Sequence, residues 1–330
     1  MINEKLNKKR EASYLPADEA EALVLQEIED GIRRAPGTVR RYTSHLLGSR
    51  GKYIRAKSLI ACSRNEEGFV PADAVKIAAA IEVLHLATLV HDDIIDDSDL
   101  RRGEITLQKK YGKKTAVICG DYLLCTALAL AASIEEKEKY MNLTLPDYAG
   151  KICTGELLQH VNNYNLNLTI YQYLKIISGK TAALFEASFY AGAVLADYDK
   201  KAANRYRQLG FNIGMIFQLT DDLMDFESTE EISQKPVQSD YEQGVITLPL
   251  IHTFKNLSGF RQRAEKKDIS RQEINTAVNR SGGLDFTKEI AGKYYRKSVK
   301  ILDELSLTPA KKSELTNILN KATRLNGVPG

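Results

Sequence analysis

Two long stretches of this chain, 72–145 and 147–235, contain no proline, and only eight prolines occur in all 330 residues. Proline removes a backbone donor and clashes with the preceding helical turn, so its absence over such lengths permits long helices. Leu, Ala, Ile, Glu and Lys recur there at three and four residues, which predicts that helices form. Gly48 to Gly51, Gly103, Gly112 and Gly283 read as the turns that join them. No strand-like alternation competes, and no repeat with a period of about 20 to 50 residues appears, so a solenoid is set aside. Segments near 72–96, 114–132, 169–192 and 200–226 are apolar on more than one face and predict interior helices. Charged segments near 262–275 and 296–304 predict outer ones. No Pro/Gly/Ser-rich linker divides the chain, so the expectation is an all-α fold in one domain, 1–330.

Inside these apolar segments lie two acidic clusters of matched spacing. The first is His91-Asp92-Asp93-Ile94-Ile95-Asp96, and the second runs Gln218-Leu219-Thr220-Asp221-Asp222-Leu223-Met224-Asp225. On a helix the first and last carboxylates of D-D-x-x-D project from one face, stacked roughly 6 Å apart. Like charges at this spacing destabilise a helix, and carboxylates among Leu89, Val90, Ile94, Phe217 and Leu223 are costly to bury without a counter-ion. A hard cation relieves both problems, and an oxygen-only ligand set favours Mg²⁺ shared with substrate phosphates. One such cluster would read as an acidic helix end facing solvent; two matched copies favour the metal.

The charge balance, 46 basic against 43 acidic residues, implies no polyanion-binding surface and no nucleic-acid partner. Cysteines 62, 119, 125 and 153 form no C-x-x-C pair and fit neither a disulfide framework nor a zinc site, so reduced core thiols in a cytoplasmic protein are expected. The N-terminus, Met1 to Arg10, is charged, and no run approaches the ~18 to 20 uncharged residues of a membrane span. The expectation is a chain neither secreted nor membrane-spanning.

Basic residues surround the acidic clusters in sequence. Arg50-Gly51-Lys52-Tyr53-Ile54-Arg55 precedes the first, Asp99-Leu100-Arg101-Arg102-Gly103 follows it, and Lys180-Thr181 and Lys235-Pro236 flank the second. Carboxylates that hold Mg²⁺ together with cations that hold phosphate oxygens describe a pocket for a diphosphate leaving group. In this ordered set, completed by Gly120-Asp121, Gly155-Glu156-x-x-Gln159 and Thr247-Leu248-Pro249, the chain resembles the trans-type polyprenyl diphosphate synthases. The resemblance extends from about Leu46 to Pro249 and is nearest to bacterial long-chain members such as the catalytic component of heptaprenyl diphosphate synthase.

The resemblance implies the isoprenoid synthase fold, a helical bundle around a central apolar cavity. It implies that Asp92, Asp96 and Asp221 coordinate Mg²⁺, about three ions per active site with substrate bound, while Asp93, Asp222 and Asp225 support them. Arg101, Lys180, Thr181, Gln218 and Lys235 would hold the allylic diphosphate, with farnesyl diphosphate the expected primer. Lys52, Arg55, His85 and Arg102 would hold isopentenyl diphosphate. His85 stands seven residues before Asp92, almost on the same helix face about two turns away. The family pattern is not matched throughout. Tyr53 and Ala56 stand where Arg and Pro are usual, Arg50 replaces a Gly, Gln234 replaces the Gly before Lys235, and Val245 follows Gly244 where many members place a lysine.

The activity so implied is condensation of isopentenyl diphosphate with an allylic diphosphate. Ala87, five residues before Asp92 and about 7.5 Å along the helix axis, with Thr88 beside it, lies where a growing tail would run. The small residues there and in Thr126-Ala127-Leu128-Ala129-Leu130-Ala131-Ala132 resemble open-tunnel members, which implies a product of roughly six to eight isoprene units, about C30–C40. A homodimer is implied, a heteromeric accessory subunit stays open because some two-subunit enzymes also lack the missing lysine, and a long polyprenyl product for a quinone would pass to membrane enzymes. A medium-chain farnesyl or geranylgeranyl diphosphate synthase is the alternative within the family. A terpene cyclase needs no second diphosphate site, and a non-catalytic lipid-binding subunit gains nothing from buried carboxylates.

Overall fold

The structure, a computed structural model, describes residues 14–48, 51–227, 239–266 and 268–323. The chain forms two compact units, each described separately below. The first comprises residues 1–144, 187–207 and 307–315, and the second 145–186, 208–306 and 316–330.

In the first unit the order is β1 (Tyr14–Pro16), α1 (Ala17–Arg33), α2 (Gly37–Thr43), α3 (Ile54–Ser63), β2 (Phe69–Pro71), α4 (Ala72–Ile95), β3 (Leu100–Arg101), β4 (Glu104–Ile105), α5 (Leu107–Tyr111), α6 (Lys113–Ala132) and α7 (Lys137–Asn142). Helix α1 buries one stripe, Ala20, Val24, Ile28 and Ile32, at four-residue intervals, as an outer helix should. Helix α4 is different. It buries Ala74, Val75 and every residue from Ile77 to Val83, so its apolar surface is enclosed on several sides, as its sequence predicts. Among the described residues two helices, α4 and α6, are long and apolar enough to cross a membrane by length and composition. Most of the α4 window lies inside the protein, packed against α1, α3 and α6, which is the situation of a core helix.

Helix α6 departs from the expectation of an interior helix. Ala116, Cys119, Gly120, Leu123, Ala127 and Ala131 are buried, while Val117, Ile118 and Leu128 on the opposite side are exposed at 41%, 63% and 42%. The same geometry corrects the cysteine reading. Cys62 and Cys119 are core thiols, but Cys125 and Cys153 are exposed because each occupies an outward position of its helix. Lys311 is nearly fully buried, and its ammonium is held by the Cys62 and Arg64 carbonyls at 2.6 Å each and by the Tyr198 hydroxyl at 3.0 Å. Its position at the C-terminal carbonyls of α3 sets positive charge against the negative end of that helix.

The second unit contains α8 (Leu145–Val161), α9 (Ile170–Ile177), parts of α10 (Ala183–Leu195) and α11 (Lys200–Glu227), α12 (Ser239–Glu242), α13 (Leu248–Asn256), α14 (Phe260–Glu265), α15 (Arg271–Ser281), α16 (Gly283–Glu304) and part of α17 (Pro309–Thr323). Its core gathers Tyr173, Ile177, Met215, Leu219, Leu248, Ile251, Ile274 and Val278 from α9, α11, α13 and α15. Helix α15 carries a capping box, with Ser270 and Glu273 satisfying each other's backbone donors. Among the described residues, extended structure is confined to two antiparallel pairs, β1 with β2 and β3 with β4. The all-α expectation holds.

Candidate active site

The first acidic cluster closes helix α4 instead of lying within it. The helix ends at Ile95, Asp96 is its C-terminal cap, and the Asp96 amide donates to the Asp92 carbonyl at 2.8 Å. Asp97 follows with φ +50°, in the left-handed region, and the Ser98 amide reaches back to the Asp93 carbonyl at 2.9 Å. This is the six-to-one bond of a Schellman ending, with Asp at the position glycine usually takes. The carboxylates therefore stand at the negative end of the helix dipole, which makes them a poor place for anions alone and a good one for a cation.

Within the cluster the three aspartates are unequal. Asp93 is 6% exposed and its Oδ1 accepts from Arg101 Nε at 2.6 Å, whereas Asp92 and Asp96 are half-buried. Arg101 is presented by the short β3–β4 ladder, where Leu100 pairs Ile105 and Arg101 pairs Glu104. The two residues between the strands, Arg102 and Gly103, have φ +53° and +80°. Positive φ at both central positions matches the twist of a two-residue hairpin, and the glycine supplies one of them without steric cost. The other cost is carried by Arg102, whose guanidinium thereby turns back over Gly51; a side chain there would start 3.0 Å from its Nη1.

Arg102 thus meets the 51–56 segment, and both meet α4. His85 is half-buried, and burial first, then Arg55, Arg102 and Arg101, push its pKa well below the usual histidine range. It stands neutral beside three arginines. Arg55 is half-buried and Lys52 exposed. Glu82, one turn before His85, is buried, and its Oε1 accepts the Ala56 amide at 2.9 Å. Ala87 is 2% exposed and Thr88 half-buried, its hydroxyl donating to the His85 carbonyl. His91 Nε2 lies 3.3 Å from Asp121 Oδ1, with its ring against Gly120, so the Gly120-Asp121 pair gives the His91 side chain its seat.

The second cluster repeats the pattern inside the other unit, near the end of α11. Asp222 is 2% exposed, and it accepts hydrogen bonds from the Tyr173 hydroxyl and from Gln218 Nε2, the latter at 2.8 Å. Gln218 in turn accepts from Thr181 Oγ1 at 2.6 Å. Asp221 is exposed and Asp225 half-buried, four residues apart on one face. In both clusters, then, the middle aspartate is drawn inward and hydrogen-bonded, and the outer pair is the more exposed. Thr181 and Lys180 lie in a π-helical turn, Ser178–Ala182, that joins α9 to α10. Such turns are uncommon and recur at functional sites. Helix α8 crosses this turn so closely that a Cβ on Gly155 would come within 2.2 Å of the Lys180 nitrogen. The next residue of α8, Glu156, meets Lys180 with Oε2 2.9 Å from Nζ.

Among the described residues no three of His, Cys, Asp and Glu gather into a cage for a metal ion. Each cluster presents an outer carboxylate pair more exposed than the aspartate between them. That donor set fits Mg²⁺, which prefers one or two carboxylates and completes its shell with water and substrate phosphate. The predicted site residues thus form two groups. Asp92, Asp93, Asp96, Lys52, Arg55, His85, Arg101 and Arg102 assemble in the first unit, and Asp221, Asp222, Asp225, Lys180, Thr181 and Gln218 in the second. Lys235, Arg50 and Gln234 lie outside the described residues. Sequence reasoning missed Tyr173 and Glu82. Glu82 carried a signal, an acid between Ile81 and Val83 one turn before His85; Tyr173, 49 residues from its partner, carried none.

Comparison with known proteins places this geometry. The polyprenyl synthetase family profile matches residues 37–280. Heptaprenyl diphosphate synthase component 2 of Geobacillus stearothermophilus is 32% identical over 311 residues, covering 92% of this chain and 95% of the relative. The octaprenyl diphosphate synthase of Escherichia coli is 28% identical, covering 87% and 89%. Among solved structures, heptaprenyl diphosphate synthase from Staphylococcus aureus superposes with a TM-score of 0.85 at 32% identity, covering 95% and 99%. A polyprenyl synthase from Caulobacter crescentus, complexed with calcium and isoprenyl diphosphate, gives 0.83 at 29%, covering 94% and 96%. The chain belongs to the polyprenyl synthetase family, has its all-α isoprenoid synthase fold, and is a prenyltransferase of the trans-prenyl diphosphate synthase type.

Proposed function

We propose that this member of the polyprenyl synthetase family is a Mg²⁺-dependent chain-elongating enzyme. It condenses isopentenyl diphosphate with an allylic primer, farnesyl diphosphate, into an all-trans polyprenyl diphosphate of about C30–C40 for a quinone side chain. The observation that carries this reading is the repeated geometry of the two clusters. Each ends or nearly ends a helix, buries and hydrogen-bonds its middle aspartate, and keeps the outer pair more exposed. Asp92 and Asp96, and from the second cluster Asp221, are the proposed ligands for about three Mg²⁺ ions, with Asp225 in support. Bound Mg²⁺ would neutralise charge developing on the departing diphosphate.

The chain's own residues do the rest. Lys180, Thr181, Gln218, Arg101 and Lys235 hold the allylic diphosphate. Lys180 meets Glu156 with Nζ 2.9 Å from Oε2, and Arg101 meets Asp93 with Nε 2.6 Å from Oδ1. Lys52, Arg55, Arg102 and the neutral His85 hold isopentenyl diphosphate, a role that suits a segment where three arginines already act on one histidine. The C–O bond of the allylic diphosphate breaks, the isopentenyl double bond attacks the resulting carbocation, and loss of a proton restores the alkene. Orientation of two bound diphosphates and a water-poor lining supply most of the acceleration. Buried Ala87 on α4, with Ala127 and Ala131 buried on α6, leaves the small side chains a long tail requires.

A second reading rests on its own observations. Relatives at 32% and 30% identity are named component 2, and the outer face of α6 presents Val117, Ile118 and Leu128 to solvent. Such a face suits association with a second copy of the chain or with an accessory subunit. Purified protein incubated with Mg²⁺, farnesyl diphosphate and labelled isopentenyl diphosphate should yield roughly six to eight units by chromatography of the dephosphorylated products. Products of three or four units would place the chain with medium-chain enzymes, and no turnover without an added subunit would favour the two-subunit form. Arg55→Ala should raise the KM for isopentenyl diphosphate more than for the primer, and Lys180→Ala the reverse. Equal effects on both substrates would overturn the division of the two sites. The proposed setting is the cytoplasm, with product passed to membrane enzymes.

A further inference from the structure

Helix α3 opens without the usual local support. Its N-cap residue is Tyr53, in the left-handed region at φ +49°, and the Tyr53 side chain makes no capping bond. The first four amides of a helix lack intrahelical partners, and those at the second and third positions are the ones a capping oxygen normally takes. In α3 these positions are Arg55 and Ala56. Both amides bond the carboxylate of Glu82, the Ala56 nitrogen at 2.9 Å from Oε1. The cap comes from another helix, 26 residues away. Proline at position 56 would have no N–H to donate, so the Ala56 bond depends on the residue there being alanine and not proline.

Glu82 is 8% exposed, and a carboxylate so enclosed is costly unless its oxygens are satisfied. Arg55 and Arg102 act on it electrostatically, and burial raises its pKa against their pull. It shares α4 with His85 one turn on and with Asp92 near the helix end. We infer that Glu82 is a positioning residue for the isopentenyl diphosphate site. Its carboxylate fixes the first turn of α3 to α4 and so sets Arg55 and Lys52 beside His85 and Arg102. The inference rests on the proposed assignment of that site.

Two effects of removing the charge oppose each other. Loss of a negative charge near Arg55 and Arg102 would strengthen the local positive field and tighten anion binding. Loss of the cap would let the first turn of α3 fray and misplace Arg55, and a misplacement of about 1 Å can cost on the order of a hundredfold. Glutamine keeps one acceptor oxygen but sets an NH₂ group against the other amide. Misplacement should therefore dominate.

For Glu82→Gln, the KM for isopentenyl diphosphate should rise about tenfold or more while that for farnesyl diphosphate stays within about twofold. An unchanged or lowered isopentenyl KM, or an equal rise for both substrates, overturns the inference. Wild type is assayed alongside: if it shows no isopentenyl-dependent extension either alone or with an added subunit, the functional reading fails by itself. Hydrogen exchange on wild type keeps the cap testable even if the variant does not fold. The amides of Arg55 and Ala56 should exchange about tenfold or more slowly than those of Asp18 and Glu19, in the first turn of α1, which has no side-chain cap. Equal rates would overturn it.

Discussion

Replacing Tyr173 with phenylalanine removes a single oxygen atom from the interior of the second unit, and that oxygen donates to Asp222. Asp222 is 2% exposed, and Gln218 donates to its other oxygen at 2.8 Å. Depriving a buried charged acceptor of one donor costs about 1.5–3 kcal/mol, more than a neutral hydrogen bond would. The ring itself stays packed with Ile177 and Leu219, so no cavity penalty is added. Part of that cost should appear as lost stability in urea denaturation. The remainder should appear in catalysis, because Asp221 and Asp225 share the helical turn that Asp222 anchors. If about half of the cost reaches catalysis, then at about 1.4 kcal/mol per factor of ten a kcat lowered by roughly three- to tenfold is expected, with a higher Mg²⁺ concentration for half-maximal rate. Gln218→Leu should act in the same direction and also release Thr181, whose hydroxyl donates to Gln218. If Tyr173→Phe lost stability as stated but kept wild-type kcat and Mg²⁺ dependence, the buried aspartate would be a packing device, and the argument from buried and exposed carboxylates would fail.

Asp92→Ala and Asp221→Ala should each lower turnover by about 10²- to 10³-fold or more, since each removes charge stabilisation at a developing oxyanion. Asp221 is exposed and Asp92 is not fully buried, so circular dichroism should show folded protein; near-normal activity would refute the metal assignment. Ala87→Phe should shorten the product to about three or four units without abolishing the first condensation, although a phenyl group at a site 2% exposed adds about 1–3 kcal/mol of overpacking. An unchanged length distribution from a folded, active variant would show that the tail runs elsewhere. His85 gives a pH signature. Its folded pKa is depressed by burial and by Arg55, Arg102 and Arg101, so between about pH 6.5 and that lower value the unfolded chain binds a proton that the native state does not. Stability should therefore fall as pH drops through this window, by up to about 1.4 kcal/mol per unit, and His85→Gln should flatten that slope in urea titrations. The same slope in the variant would remove His85 as its source.

Much of this molecule is written in local sequence. The Pro-free stretches predict long helices, and α4, α6, α8 and α11 occupy them. The doubled D-D-x-x-D and its ordered basic companions point to diphosphate chemistry before any coordinate is known, because carboxylate spacing on a helix depends only on helical geometry. Even Arg102-Gly103 is a local feature, a two-residue turn that needs positive φ.

What covers each face is not local, and there the sequence falls silent. The helix ends with the first cluster, at Ile95, as the segment near 72–96 predicts, but how it ends is not legible: Asp97 adopts the left-handed conformation and the Ser98 amide closes the end. Helical periodicity marks α6 as apolar all round, yet only packing decides that Leu123 is enclosed while Ile118 faces outward. Spacing makes the three aspartates of each cluster look alike. Tertiary structure distinguishes them, since Asp93 meets Arg101 only through the β3–β4 turn, and Asp222 meets Tyr173 only because α9 packs on α11. The cap that Glu82 lends to α3 spans 26 residues and follows no period. Sequence determines which groups exist and which face of their own helix they share. Burial, and with it the choice between an enclosed carboxylate and an exposed one, depends on neighbours that the chain brings back from far along its length.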